Sequence, residues 1–255
     1  MEKLIDKLGL YDIWTTLFPG GVFLIFTRTM YVFMNTLPDL LLDTDGVLAK
    51  LFLICKAEIC VPNTLNELLI FFMIAYVSGS VLHELGSIFK SSVLYRAGKP
   101  TEFLFSNDKG LFSSEEIQRL QIIYNRLMGT SAKIENRESS KQISRELFHI
   151  MNTVLQREKI SSRYVKLNVI YNTCITLSIA FMTTLCMVIL FDIEYVVQGK
   201  YDRIFPTISL AVGLLFGVIM LVLRGKKYYR YWVRNIVFAY YEWDENVFSK
   251  AQEEV

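Results

Sequence analysis

The residues that most often carry enzyme chemistry are few in this sequence, and their spacing does not match a known active-site motif. There are two histidines, His83 and His149, and no HExxH, CxxC pair, Walker lysine loop or GxGxxG occurs. Ser78-Gly79-Ser80 followed by His83 comes nearest to a serine hydrolase. These residues share one predicted helix, whereas a nucleophile and its base normally converge from separate elements. We therefore expect no enzyme, no metal site and no bound cofactor.

Two charged residues, Arg28 and Glu67, fall inside apolar runs of the sequence. If both runs cross a membrane, a rise of about 1.5 Å per residue brings the two side chains to a similar depth. As a pair, each would spare the other the cost of an unpaired charge in hydrocarbon. Two interpretations stay open: a charged ring or gate in an oligomer, or an arginine that reaches the headgroups or pins two helices together.

The 25 residues from Leu167 to Phe191 contain no Asp, Glu, Lys, Arg or His, and such a run is long enough to cross a bilayer. Small and polar side chains recur there at every fourth position, namely Asn168, Asn172, Thr176, Ala180 and Thr184. This spacing puts them on one helix face, which we expect to face protein or water rather than lipid. The face either lines a water-filled path, with Asn168, Asn172 and Thr176 as gating candidates, or serves only for helix packing.

Composition and hydropathy together predict an all-helical integral membrane protein with four spanning helices. The chain is 53% hydrophobic and 20% charged, too apolar for an average soluble domain and too charged for a chain wholly in lipid. Phe18-Pro19-Gly20-Gly21 predicts a kink or a short re-entrant start in the first span. The predicted parts are an N-terminus (1–12), helices 1 and 2 (13–85) with an external connector (37–63), an insert (86–166), helices 3 and 4 (167–223) and a tail (224–255).

Two pairs of small residues predict close contacts between spanning helices. Ala75 and Gly79 lie four apart in the second span, and Gly213 and Gly217 lie four apart in the fourth. Small residues at this spacing let helix backbones approach each other.

The insert is the longest polar segment and is predicted to be mostly helical. It holds 14 Lys and Arg against 8 Asp and Glu, a net charge of +6. Ser113 and Glu116 form a capping-box pattern for a helix that ends near Met128, closed by Gly129. A second amphipathic helix starts near Ser140, and because nothing breaks the pattern after it, we expect one unbroken helix into the third span.

The distribution of Lys and Arg predicts the orientation. The insert carries 14 and the tail 6, whereas the two connectors carry 2 each. Because cytoplasmic segments carry the excess of Lys and Arg, we expect both termini and the insert in the cytoplasm, in a plasma or inner membrane. The connectors then lie outside, where Cys55 and Cys60 form either a disulfide or two free thiols.

The tail begins with a basic and aromatic sequence directly after the fourth span. Cations and Tyr or Trp in this position favour contact with lipid headgroups over binding of RNA or DNA. The headgroup candidates are Lys226, Lys227, Arg230, Arg234 and Trp232.

Two functions fit these features. In the first, the protein is an oligomeric membrane effector or channel-like subunit, controlled through its insert by a soluble cytoplasmic partner or ligand. Small four-span proteins of this kind would suit defence or stress responses, which is an analogy rather than an inference from residues. In the second, the protein is a non-conducting anchor or scaffold that recruits a soluble partner. Membrane lipids and further copies of the chain are expected partners, whereas nucleic acid is not.

Overall fold

The structure is a computed structural model. It describes residues 10–41, 65–96, 98–105, 111–129, 137–158, 162–197, 199, 201 and 204–253. Within these ranges the protein is all-helical, without β-strands. The longer helices are α1 (Phe18–Leu41), α2 (Leu65–Phe89), α3 (Ser114–Met128), α4 (Arg137–Arg157), α5 (Ser162–Val197) and α6 (Ile204–Glu253). Cys55, Cys60 and most of the 37–63 connector lie outside the described residues.

Three helical segments are long and apolar enough to cross a membrane, namely Leu65–Leu94, Val165–Val197 and Thr207–Asn246. Large apolar side chains are exposed along them, including Met73 and Val77 on α2 and Val212 and Phe216 on α6. In water, so many exposed apolar side chains would form a large patch that promotes aggregation. In a bilayer, the same side chains can contact the lipid tails. The all-helical membrane fold is therefore supported for three spans. The first predicted span, on α1, remains a prediction.

The length of α6 limits how much of it lies in lipid. Its 50 residues extend about 75 Å, whereas the hydrocarbon core is about 30 Å thick. The predicted span 204–223 fills that thickness, and Arg224 is the first charged residue after it. If that span crosses a bilayer, the rest of the helix continues well beyond it, as the predicted tail does.

The chain divides into two compact units. Met1–Phe89 and Val169–Gly225 form one, which we call the apolar unit. Lys90–Asn168 and Lys226–Val255 form the other, which we call the charged unit. The helical run Leu65–Leu94, α5 and α6 each contribute residues to both units.

Local signals set the ends of α3 in the charged unit. The Ser113 hydroxyl accepts from the Glu116 N–H, the Glu116 carboxylate accepts from the Ser113 N–H, and Gly129 has a left-handed φ of 64°. This confirms the predicted capping box and the predicted end at Gly129. The unbroken helix from the insert into the third span is wrong, because α4 ends at Arg157 and α5 begins at Ser162. The sequence has two serines at that point, and serine favours helix starts over helix interiors.

Two glycines let the backbone of the first helical segment, residues 10–41, contact the backbone of α2. A Cβ added at Gly20 would overlap the carbonyl oxygen of Ala75, and one at Gly79 would overlap the carbonyl oxygen of Thr16. Such reciprocal contacts between Cα and carbonyl oxygen are typical of tightly packed spanning helices. The pair Ala75 and Gly79 therefore lies at a helix contact, and both residues are buried.

Replacing Gly79 with alanine should lower the free energy of unfolding by about 1–3 kcal/mol, because the new methyl group meets backbone that cannot rotate away. The matched control is Gly213→Ala, where a Cβ meets nothing within 4 Å. That variant should be as stable as the parent, or up to about 1 kcal/mol more stable. Denaturant unfolding of the purified protein in detergent measures both. Equal losses in the two variants would contradict the close contact.

Candidate functional site

The polar stripe on α5 lies inside the apolar unit. Asn172, Thr176, Ala180 and Thr184 are each no more than 6% exposed. Asn168 is half-buried and belongs to the charged unit. The stripe therefore faces other protein atoms from Asn172 onwards. In this arrangement it is a closed seam, and the gating role predicted for Asn168, Asn172 and Thr176 stays a prediction.

The hydroxyl groups along this seam bond to their own helix. The Thr176 hydroxyl donates to the Asn172 carbonyl at 3.0 Å and the Thr184 hydroxyl to the Ala180 carbonyl at 2.9 Å. Such bonds use the single hydroxyl proton and leave the oxygen free to accept. The seam thus offers acceptors to any donor that approaches from a neighbouring helix.

His83 on α2 is such a donor. Its Nδ1 lies 3.3 Å from the Thr176 hydroxyl oxygen. Because the hydroxyl proton is directed at the Asn172 carbonyl, the ring nitrogen must supply the proton of this second bond. The contact therefore links α2 to α5 through a polar bond.

A proline creates a second polar link in the same unit. A π-helical turn, Ile13–Leu17, comes before Pro19, and in it the Phe18 N–H bonds to the Ile13 carbonyl. In this pattern the Trp14 carbonyl would accept from residue 19, but Pro19 has no N–H. The Thr173 hydroxyl on α5 lies 3.0 Å from the Trp14 oxygen. The same hydroxyl lies 2.9 Å from the Val169 carbonyl, so its single proton is shared between two carbonyls. Thr173 therefore offers the Trp14 carbonyl a shared bond in place of the one that Pro19 cannot supply. The kink or re-entrant start predicted at Phe18-Pro19-Gly20-Gly21 stays a prediction.

The remaining predicted membrane residues are placed as follows. Arg28 and Glu67 are both exposed on their helices, and a charged gate or pair between them stays a prediction. Gly217 is half-buried, and a Cβ there would lie 2.8 Å from the Phe181 ring. Gly213 is exposed, with open space beside it. The two glycines that share a sequence pattern therefore have different surroundings.

In the charged unit, ion pairs join α3 to the last part of α6. The Arg126 guanidinium donates to both carboxylate oxygens of Asp244, and Arg119 lies 3.7 Å from Glu245. The first pair is the more sheltered, since the Asp244 side chain is 16% exposed, whereas Arg119 and Glu245 are 65% and 75% exposed. Both bonds come from one guanidinium nitrogen, Nη2, and a hydrogen bond between two charged groups is stronger than one between neutral groups.

Glu116 connects the start of α3 to α6 in three ways. Its carboxylate accepts from the Ser113 N–H at 2.6 Å and lies 3.6 Å from the Arg234 guanidinium. Its carbonyl accepts from the Tyr241 hydroxyl at 3.1 Å. Burial, and after it the nearby Glu116 carboxylate, raise the pKa of the Tyr241 phenol well above its ordinary value. The phenol therefore stays protonated and keeps donating at physiological pH.

The predicted headgroup residues separate into two groups. Trp232 stacks on Tyr229 and meets Phe148 edge-on, at centroid distances of 5.5 and 5.3 Å, and Arg234 faces Glu116 as described above. These two belong to contacts within the charged unit. Lys227, which lies 5.7 Å from the Tyr231 ring centre, and Arg230 are exposed, whereas Lys226 is half-buried.

Sequence reasoning missed an ion pair between a buried carboxylate and an exposed arginine, whose side chain is 60% exposed. Glu102 is 7% exposed and accepts from the Arg145 guanidinium at 2.8 Å. The two residues lie 43 positions apart, so no local pattern connects them. The His83–Thr176 bond was missed as well, although His83 shares a helix face with Gly79, which was predicted to face another helix.

A shallow depression of about 190 Å³ lies between α3 and α6 in the charged unit, lined by Arg119, Ile122, Ile123, Arg126, Tyr241, Asp244 and Glu245. Among the residues that the structure describes, no three His, Cys, Asp or Glu side chains are grouped to hold a metal ion. No protein-family model, curated protein or solved structure matches the chain. Function must therefore be argued from the geometry above.

Thr173→Val should destabilise the protein by about 1–2 kcal/mol, because the Trp14 carbonyl loses its donor. The same substitution should cost about 1 kcal/mol less in a Pro19→Ala background, where residue 19 has an N–H to offer. The Thr173 hydroxyl also lies 2.9 Å from the Val169 carbonyl, and that loss is common to both backgrounds and cancels. Denaturant unfolding of the four proteins measures the difference, and equal costs would contradict the role of Pro19.

Arg126→Ala should lower the free energy of unfolding by about 1–2 kcal/mol, whereas Arg119→Ala should lower it by less than about 0.5 kcal/mol. The exchange Arg126→Asp with Asp244→Arg should recover part of the loss that Arg126→Asp alone produces. Unfolding of the full chain followed by tryptophan fluorescence provides the measurement. A double variant no more stable than its worse single variant would show that the pair does not join α3 to α6.

Proposed function

We propose that this protein is an oligomeric membrane effector with a channel-like path, controlled through its charged unit. The observation that carries the proposal is the buried seam on α5, with Asn172, Thr176 and Thr184 inside a unit whose outside is apolar. Polar groups within spanning helices are costly and often mark a path for ions or substrates. The seam is closed in this structure, so conduction would require α2 and α5 to separate at the His83–Thr176 bond.

The charged unit is suited to control that separation. The helical run Leu65–Leu94, α5 and α6 each continue from the apolar unit into the charged unit. The first of them crosses the division through a π-helical turn, Lys90–Leu94, and π-turns occur frequently at functional sites. A partner or ligand that changes the charged unit would therefore act on the helices that form the seam.

Assembly of several copies is part of the proposal. Gly213 lies on an exposed face of α6 with open space beside it, and small residues allow close contact with a second spanning helix. By the distribution of Lys and Arg, both termini and the charged unit lie in the cytoplasm of a plasma or inner membrane. A fourth span on α1 would complete this topology.

A scaffold is the second candidate, and a different observation favours it. The described hydroxyls of the seam are satisfied by their own helix, as expected of groups that only help helices to pack.

Release of a small dye from liposomes that contain the purified protein tests the proposal. The parent protein should release dye, and Asn172→Leu should suppress release, because it replaces a polar group of the seam with an apolar one. The control is Cys186→Leu, on an exposed position of the same helix, which should release dye like the parent. Tight liposomes with the parent protein, combined with capture of a soluble partner through the charged unit, would favour the scaffold.

A further inference from the structure

The first turns of α6 beyond its predicted span carry positive charge that its own helix does not balance. Between Ile204 and Tyr241 there are five Lys and Arg and no Asp or Glu. The first acid on α6 is Glu242. The cations of this stretch must therefore find anions on another element or outside the chain.

These cations differ in whether an acid of the chain forms an ion pair with them. Arg234 lies 3.6 Å from Glu116, so an acid of α3 provides its opposite charge. Within the described part of the chain, no salt bridge reaches Lys226, Lys227 or Arg230. Lys227 and Arg230 are exposed, and Tyr231 beside them is 45% exposed. Further along the same stretch of α6, buried residues alternate with exposed ones, namely Tyr229, Val233, Ile236, Val237, Tyr240 and Tyr241.

Distance along the helix explains why these three cations differ from Arg234. With about 1.5 Å per residue, Lys226 and Lys227 lie about 5 Å beyond residue 223 and Arg230 about 10 Å beyond it. The headgroup layer is about 5–8 Å thick on each side of the core, and long basic side chains reach toward it. Arg234, at about 16 Å, lies past that layer, where a protein carboxylate is the available partner.

We propose that Lys226, Lys227 and Arg230, with Tyr231 beside them, form a surface that binds the headgroups of anionic phospholipids. This inference rests on the spanning of α6 in the proposed function, but not on conduction. The lipid phosphates supply the anions that the described residues do not, and the aromatic ring of Tyr231 suits the interface between headgroups and hydrocarbon. Trp232 and Arg234, although basic or aromatic, are not part of the surface.

The test uses the full chain in mixed micelles of phosphatidylcholine and phosphatidylglycerol in equal amounts. After removal of free micelles, mass spectrometry of the retained lipid gives the ratio of the two. The parent protein should retain an excess of phosphatidylglycerol. In Lys226→Gln/Lys227→Gln/Arg230→Gln that excess should fall by about fivefold or more, down to a ratio near that of the micelles.

The matched control removes the same charge elsewhere in the charged unit, as Arg119→Gln/Lys141→Gln/Arg234→Gln. These three cations face Glu245, Glu138 and Glu116, and their loss should leave the lipid ratio unchanged. An equal fall in both triple variants would show an effect of net charge alone and would overturn the proposal. Unfolding assays on both triple variants, run before the lipid measurement, verify that each variant folds.

Two further arms distinguish other anions from lipid. Inorganic phosphate at the same concentration as the lipid phosphate should not displace phosphatidylglycerol, and displacement would show a site for free phosphate instead. A labelled single-stranded oligonucleotide should not bind more tightly to the parent than to the Lys226/Lys227/Arg230 triple variant, and the reverse would favour nucleic acid. Liposomes that stay tight while the lipid excess persists would remove conduction but leave this surface in place.

Discussion

Hydrocarbon offers no hydrogen-bond partner, and this constraint organises the apolar unit. Pro19 leaves the Trp14 carbonyl without a backbone donor, and a threonine of α5 supplies one. The Thr176 hydroxyl donates to the Asn172 carbonyl of its own helix and accepts from His83. Polar side chains in this unit are thus linked to the packing of helices, because each bond that crosses between two helices also fixes their spacing. A path for water or ions would have to replace these bonds with bonds to water.

The surroundings of α6 change along its length, and the demand for hydrogen-bond partners changes with them. Its first twenty residues are apolar and expose large side chains, as a lipid environment requires. In the proposed placement, the cations from Arg224 onwards lie at the depth of the headgroups. Beyond them, the helix is joined to α3 by Glu116 and Asp244. One continuous helix would then meet hydrocarbon, headgroups and water in turn, and its residue types fit these three surroundings. This order gives the charged unit a direct covalent connection to the helices that carry the seam.

The sequence predicted helices well because apolar periodicity and capping residues are local signals. Ser113 and Glu116 are three residues apart, so their pattern could be read directly. The interruption after Arg157 was not predicted, because a periodicity that continues on both sides hides a short break. The Glu102–Arg145 pair spans 43 residues, and the packing of Trp232 depends on a ring of α4. Contacts of this kind arise when the helices assemble, so composition alone indicated a headgroup anchor for Trp232.

The central claim is that apolar helices cross a bilayer, with the charged unit on one side and the connector between α5 and α6 on the other. Labelling of single cysteines with a membrane-impermeant maleimide, in sealed vesicles and in a chain without its four native cysteines, tests it most directly. Glu115→Cys and Glu242→Cys should be labelled from the same side, and Tyr201→Cys only from the opposite side. Labelling of all three from one side would contradict the account.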